Sequence, residues 1–348
     1  MAIINNIINL NTEVMEKTNI WGDGFINHAD EIGHYNVFGR NVRINPLHDG
    51  QEYAKIGSFC HFADNVEIGW CTCIGNHVTI GKNVRISDDC KIGNNAVIGD
   101  NVILGKNTVV RDGCVLEKDV IVGDNNEFSQ GCVIGYSAEN SENGSLRIGD
   151  GNFFGAHCTV CRGTKTSGNE ETVVGNFVFC GSGVLLAPGS RIAADAEIPY
   201  HPQEKYSTHL QNGAQIGFAA EIAVGCTMAE AAVIRPHVRI GAGCYVSPLS
   251  LAEADIVPFA LVKGDKVVFY HPVCLDKNLD FGTTDDDILG LVGEMVLRTS
   301  LAGNTYTAQS VIERFKGRGQ WYDRAYNVIK SFLTKHDDER TLMKPIVW

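Results

Sequence analysis

The chain has no apolar run near the ~18 residues a membrane-spanning helix needs, and no secretory leader opens it. It also lacks an excess of positive charge: the formal net charge is −12, which argues against nucleic acid or an anionic membrane as the main partner. Paired zinc-binding motifs are missing as well. Cys158 and Cys161 form the only CxxC, with no second pair and no histidine pair at finger spacing, so no metal centre is expected. Together these absences predict a soluble, reduced, cytoplasmic protein.

What the sequence does have is a period of six. From Ile20 to Ile134 an aliphatic residue or phenylalanine recurs every sixth position, and of the twenty positions on that grid only Gly50 breaks the rule. Four residues after each large one comes a small one: Cys60, Val66, Thr72, Val78, Val84, Cys90, Ala96. Glycine often follows the large residue directly, as in Ile74-Gly75 and Ile98-Gly99, which reads as a corner residue chosen for unusual dihedrals. One large inward side chain, one corner and one small inward side chain per hexad describe one face of a triangular parallel β-helix. Three hexads make a coil, and stacking about 4.8 Å apart pairs each short strand with the one above. The cysteines fit the same scheme. Cys60, Cys90, Cys114 and Cys132 are separated by multiples of six and share the small inward position, so they are packing residues.

Three excursions interrupt the grid: Tyr136–Arg147, Thr166–Thr172 and Pro199–Gln215. The first two are polar and rich in Gly, Ser, Asn and Glu; the third contains Pro-Tyr-His-Pro, which favours a projecting loop over a degenerate coil. Loops projected by a rigid solenoid are where binding and chemistry concentrate. After Val246 the period fades, and beyond Asp276 the pattern turns helical, with Thr284 or Asp285 as N-cap, then Ala308–Phe315 and Trp321–Leu333 as further helices. The organisation expected is an N-terminal extension over 1–19, an all-β solenoid of about ten coils over 20–275 and a small α-helical domain over 276–348. From Arg298 onward basic residues outnumber acidic ones nine to five, the reverse of the whole chain.

The stretch Val122–Ile192 resembles the UDP-N-acetylglucosamine O-acyltransferase family of lipid A biosynthesis. The resemblance is carried by Val122-Gly123-Asp124-Asn125-Asn126-Glu127-Phe128, Gln130, Ile148-Gly149-Asp150-Gly151-Asn152, Cys161-Arg162-Gly163-Thr164 and Val174-Gly175. It implies a left-handed β-helix, a homotrimer, a small-molecule acceptor, and coenzyme A or acyl carrier protein as acyl donor with no bound cofactor. The family's general base is a histidine in the hexad that here reads Leu186-Ala187-Pro188-Gly189, and proline cannot take a proton. The histidine preceding Arg-Gly-Thr is Cys161 here, and in the shortened acceptor loop Glu139 and Asn140 replace the expected amide and carboxylate. Leu185–Gly189 followed by His201-Pro202 is similar to the maltose and galactoside O-acetyltransferases, in which a His-Pro loop supplies the base.

His201 is therefore the leading candidate base, with His157, one coil away, as the alternative; each is otherwise an ordinary turn or surface residue. Asn126, Gln130, Glu139, Asn140 and Arg162 are candidates for holding the acceptor, although Asn126, Gln130 and Arg162 could equally cap corners of the coil. Lys316 and Arg318 are candidates for the donor phosphates or are solvated charges. Cys161 has a nucleophile reading beside a packing one. The function expected is acyl transfer from a thioester to an amine or hydroxyl. A non-catalytic scaffold on the same prism is the alternative. A γ-class carbonic anhydrase, which needs three histidines on zinc, is disfavoured because no close histidine set is visible.

Overall fold

In the computed structural model, the structure describes residues 19–29, 31–45, 54–137, 144–165, 170–193, 207–270, 286–317, 320–335 and 340–344. Its body is a left-handed parallel β-helix. Short strands line up on three faces, which form sheets of 13, 11 and 10 strands among the described residues. Consecutive hexads lie on consecutive faces: Cys73–Ile74 on the first, Thr79–Ile80 on the second, Arg85–Ile86 on the third, before Lys91–Ile92 returns to the first.

The six-residue grid is the register of the stack. Ile74 pairs with Ile92, Ile92 with Val110 and Val110 with Phe128, so each large side chain rests on its counterpart in the next coil. Ile80, Ile98 and Leu104 have no exposed surface, and the inner rings of Phe38 and Phe62, and of Phe128 and Phe154, stack at 4.7 and 5.0 Å. Cys60, Cys90, Cys114 and Cys132 are buried and unbridged at the small inward position, as the spacing predicted, whereas Cys73 points outward.

The corner chemistry differs from the sequence expectation. The left-handed residue is the third after each large one, not the first: Asn83, Asn95, Asn101, Asn107 and His157 all have φ between 52 and 60°. Asparagine tolerates that region better than most residues, and its side chains bond along the stack, Asn65 to Asn83 to Asn101 to Asp119 at 2.9–3.1 Å. The glycine after the large residue is needed for space. A Cβ on Gly81 would stand 2.4 Å from Asp100 Oδ1 and 2.7 Å from Asp100 N of the coil above.

The first two excursions leave the edge between the second and third faces, and the third leaves the edge between the third and first. The third is shorter than expected. Thr208–Leu210 is a strand of the first face, so His209 is half-buried and stacked on Phe179 at 5.3 Å.

Among the described residues three helices follow the prism: α1 (Asp286–Leu301), α2 (Thr305–Ile312, continued by a 3-10 turn over Glu313–Phe315) and α3 (Gln320–Thr334). Asn304 caps α2 by accepting from Thr307 N at 2.8 Å. Arg239 of the third face ties this domain down. Its Nε meets Asp255 Oδ2 at 2.8 Å, its Nη1 donates to Phe332 O at 3.2 Å, and its guanidinium lies 4.7 Å from the Phe332 ring centre. Arg340 adds a second cation on Asp255 at 3.2 Å.

Candidate functional site

Expected site residues lie on two edges of the prism among the described residues. On the edge between the first and second faces an open groove of about 430 Å³ runs across successive coils, lined by Arg111, Ser129, Gln130, Ala156, Ser182 and Asn212. At the second corner position it has Ala156 and Ser182 where other coils of this edge carry Asn94, Asp112 and Asn212. Gln130 is exposed in it, and Gln130 O accepts from His157 N at 3.1 Å, so one expected binding residue and one expected base adjoin. The imidazole of His157 is exposed and lies against Gly131, where a Cβ would stand 2.6 Å from Nδ1. Arg111 is neutralised by Glu127 at 2.6 Å, which leaves the groove polar without a strong charge.

The edge between the second and third faces bears the hexad where the resembling family places its base. Gly189 N donates to the buried Thr172 Oγ1 at 2.8 Å, and Pro188 O accepts from Ala219 N at 3.0 Å. The corner is closed by its own backbone. Arg162 is on this same edge, buried, one coil from Tyr136.

Asn126 is corrected from ligand contact to internal donor. It is buried, and its amide donates to Gly149 O at 2.8 Å and Gly123 O at 2.9 Å while its Oδ1 accepts from Asn152 N and Nδ2. Thr72, Cys90 and Thr108 occupy the same inward column and donate to the matching carbonyl of the next coil. The signal was in the sequence: Asn126 is four after Val122, the small inward position of the grid. Cys161 is likewise a packing residue. Burial pushes its thiol up to about 11, so no thiolate is available near neutral pH. Lys316 is exposed at the turn after the 3-10 segment, on the helical domain and not at the groove. His201, Glu139, Asn140 and Arg318 lie outside the described residues. Among the described residues no cluster of His, Cys, Asp or Glu could hold a metal ion, and no helix is long and apolar enough to cross a membrane.

Arg162 is the residue whose importance the sequence understated. It was one candidate among five, and what sets it apart, a buried guanidinium whose Nε and Nη1 have no hydrogen-bond partner among the described residues, is a tertiary property.

These coils define a class. Residues 51–82, 73–106 and 83–118 match the bacterial transferase hexapeptide (six repeats) family. Among curated protein sequences none matches the chain. The fold is shared with solved UDP-N-acetylglucosamine acyltransferases. That of Moraxella catarrhalis is 19% identical, with a TM-score of 0.55 over 76% of this chain and 97% of its own. That of Francisella novicida is 17% identical, with 0.51 over 77% and 92%, and that of Arabidopsis 12% identical, with 0.51 over 94% and 96%.

Proposed function

We propose that this protein is an acyltransferase, moving an acyl group from the thioester of coenzyme A or acyl carrier protein to an amine or hydroxyl of a small molecule. The observation that carries this reading is the polar groove lined by Gln130, with the exposed His157 at the adjoining corner, its backbone N–H donating to Gln130 O. In the reaction the acceptor nitrogen or oxygen attacks the thioester carbonyl, the new bond forms as the C–S bond breaks, and the acceptor's proton passes through an imidazole to the departing thiolate. An imidazole suits that relay because it titrates near neutral pH. The closed corner at Pro188 favours an amine acceptor, since a neutral amine is already nucleophilic and its proton can leave late.

The working unit in this reading is a homotrimer with ligands between prisms. Its support is an exposed apolar pair on the third face, where Ile103 and Ile121 stack in successive coils after Arg85. Crystals soaked with acetyl-coenzyme A test the reading. Density for the pantetheine arm along the prism supports it; no binding and no thioester turnover would favour the scaffold alternative.

A further inference from the structure

Arg162 is a permanent cation held inside the protein with no counter-charge paired to it among the described residues. Its own N–H donates to Tyr136 O at 3.1 Å and that of Gly163 donates to Ser145 O at 3.0 Å, which fixes it between the two roots of the first excursion. On the other side Gly163 abuts the return from the second excursion, where a Cβ would stand 2.4 Å from Glu170 O. Arg162 is only 6% exposed, and its Nε and Nη1 are both buried without a hydrogen-bond partner.

Other arginines of the prism are treated differently. Arg40, Arg85, Arg111 and Arg147 pair with Asp64, Glu67, Glu127 and Glu171, and the buried Arg239 has Asp255. A chain with 41 acidic and 29 basic residues has carboxylates to spare, yet among the described residues none is paired with this guanidinium. A buried charge without a counter-charge is costly, and replacing it by an apolar residue would remove that cost. The position makes physical sense when an anion enters from outside.

We propose that Arg162 is the binding site for an anionic group of the acceptor, a carboxylate or a phosphoryl group, so that the acceptor is an acidic small molecule. The word acceptor rests on the acyltransferase reading; the anion site does not. Binding is therefore measured without donor, by calorimetry on the full chain, with N-acetylglucosamine as neutral probe against N-acetylglucosamine 1-phosphate and glucuronic acid. At least one anionic probe should bind roughly 10- to 100-fold more tightly than the neutral one, the range of a charge-assisted hydrogen bond. Which arm responds separates phosphoryl from carboxylate. Arg162→Met should erase the preference while the ligand-free protein melts no lower, because an unpaired buried charge has been removed. Arg162→Lys, which keeps the charge, should retain part of it. No anion preference in the wild type, or a preference that survives in Arg162→Met, would overturn the inference. Anion binding without acyl transfer would leave this inference standing and sink the transferase reading alone.

Discussion

At each corner two neighbouring positions face different constraints, and the residues that meet them respond differently to substitution. Gly81 is fixed by the backbone of the next coil, 2.7 Å from where its Cβ would be, while Gly113 has φ +67° and open space around it. Gly81→Ala should therefore cost roughly 1–3 kcal/mol by forcing the coils apart. Gly113→Asn, a far larger change, should cost about 1 kcal/mol or less, since asparagine already holds that position at Asn95 and Asn107. Thermal unfolding of the two variants checks this order, and the reverse order would mean that dihedral freedom governs the first glycine. The sequence displayed the grid because side-chain size repeats along the chain. It misassigned the corner because close approach of one coil to the next leaves the same residue, glycine, as a strained φ would. Core substitution follows from the same grid: Ile98→Asp puts a carboxylate into a column with no exposed surface and should cost several kcal/mol, read as loss of soluble protein or a sharply lower melting point.

The elements that stack and dock carry two further expectations. Burial pushes the Cys90 and Cys161 thiols from 9.0 up to about 11. In the fold they stay protonated to near pH 11, while in the unfolded chain they ionise near pH 9, so stability is full below about pH 9 and falls as pH rises from about 9 to about 11. Denaturant midpoints across that window should decline, and a flat profile would place those thiols in contact with water. On the third face Asp255 holds both Arg239 and Arg340. Asp255→Ala leaves Arg239 buried and uncompensated and should cost about 3–5 kcal/mol, with the helical domain released first in hydrogen exchange. None of this docking was legible in the sequence, which marked the helices by their periodicity but carried no sign of which prism residue each would meet.

For the whole molecule, the class of fold was readable because the period is a property of the chain, whereas the site is a property of edges. Gln130 and His157 are 27 residues apart and meet only because the coils stack; Asn126, four residues from Gln130, turns inward and leaves the site altogether. If the exposed Ile103 and Ile121 of the third face are covered by a neighbouring prism, light scattering at micromolar concentration should return the mass of three chains. In the acyltransferase reading, transfer persists on this prism with its base displaced from the Pro188 corner. Acceptor-dependent thiol release from acyl-coenzyme A, measured across a panel of amino and hydroxy sugars for the wild type, His157→Ala and His201→Ala, tests it most directly. Turnover by the wild type is expected, with a loss of roughly 10²–10⁴-fold in one of the two histidine variants and folding intact. No turnover by the wild type, or full rates in both variants, would contradict it.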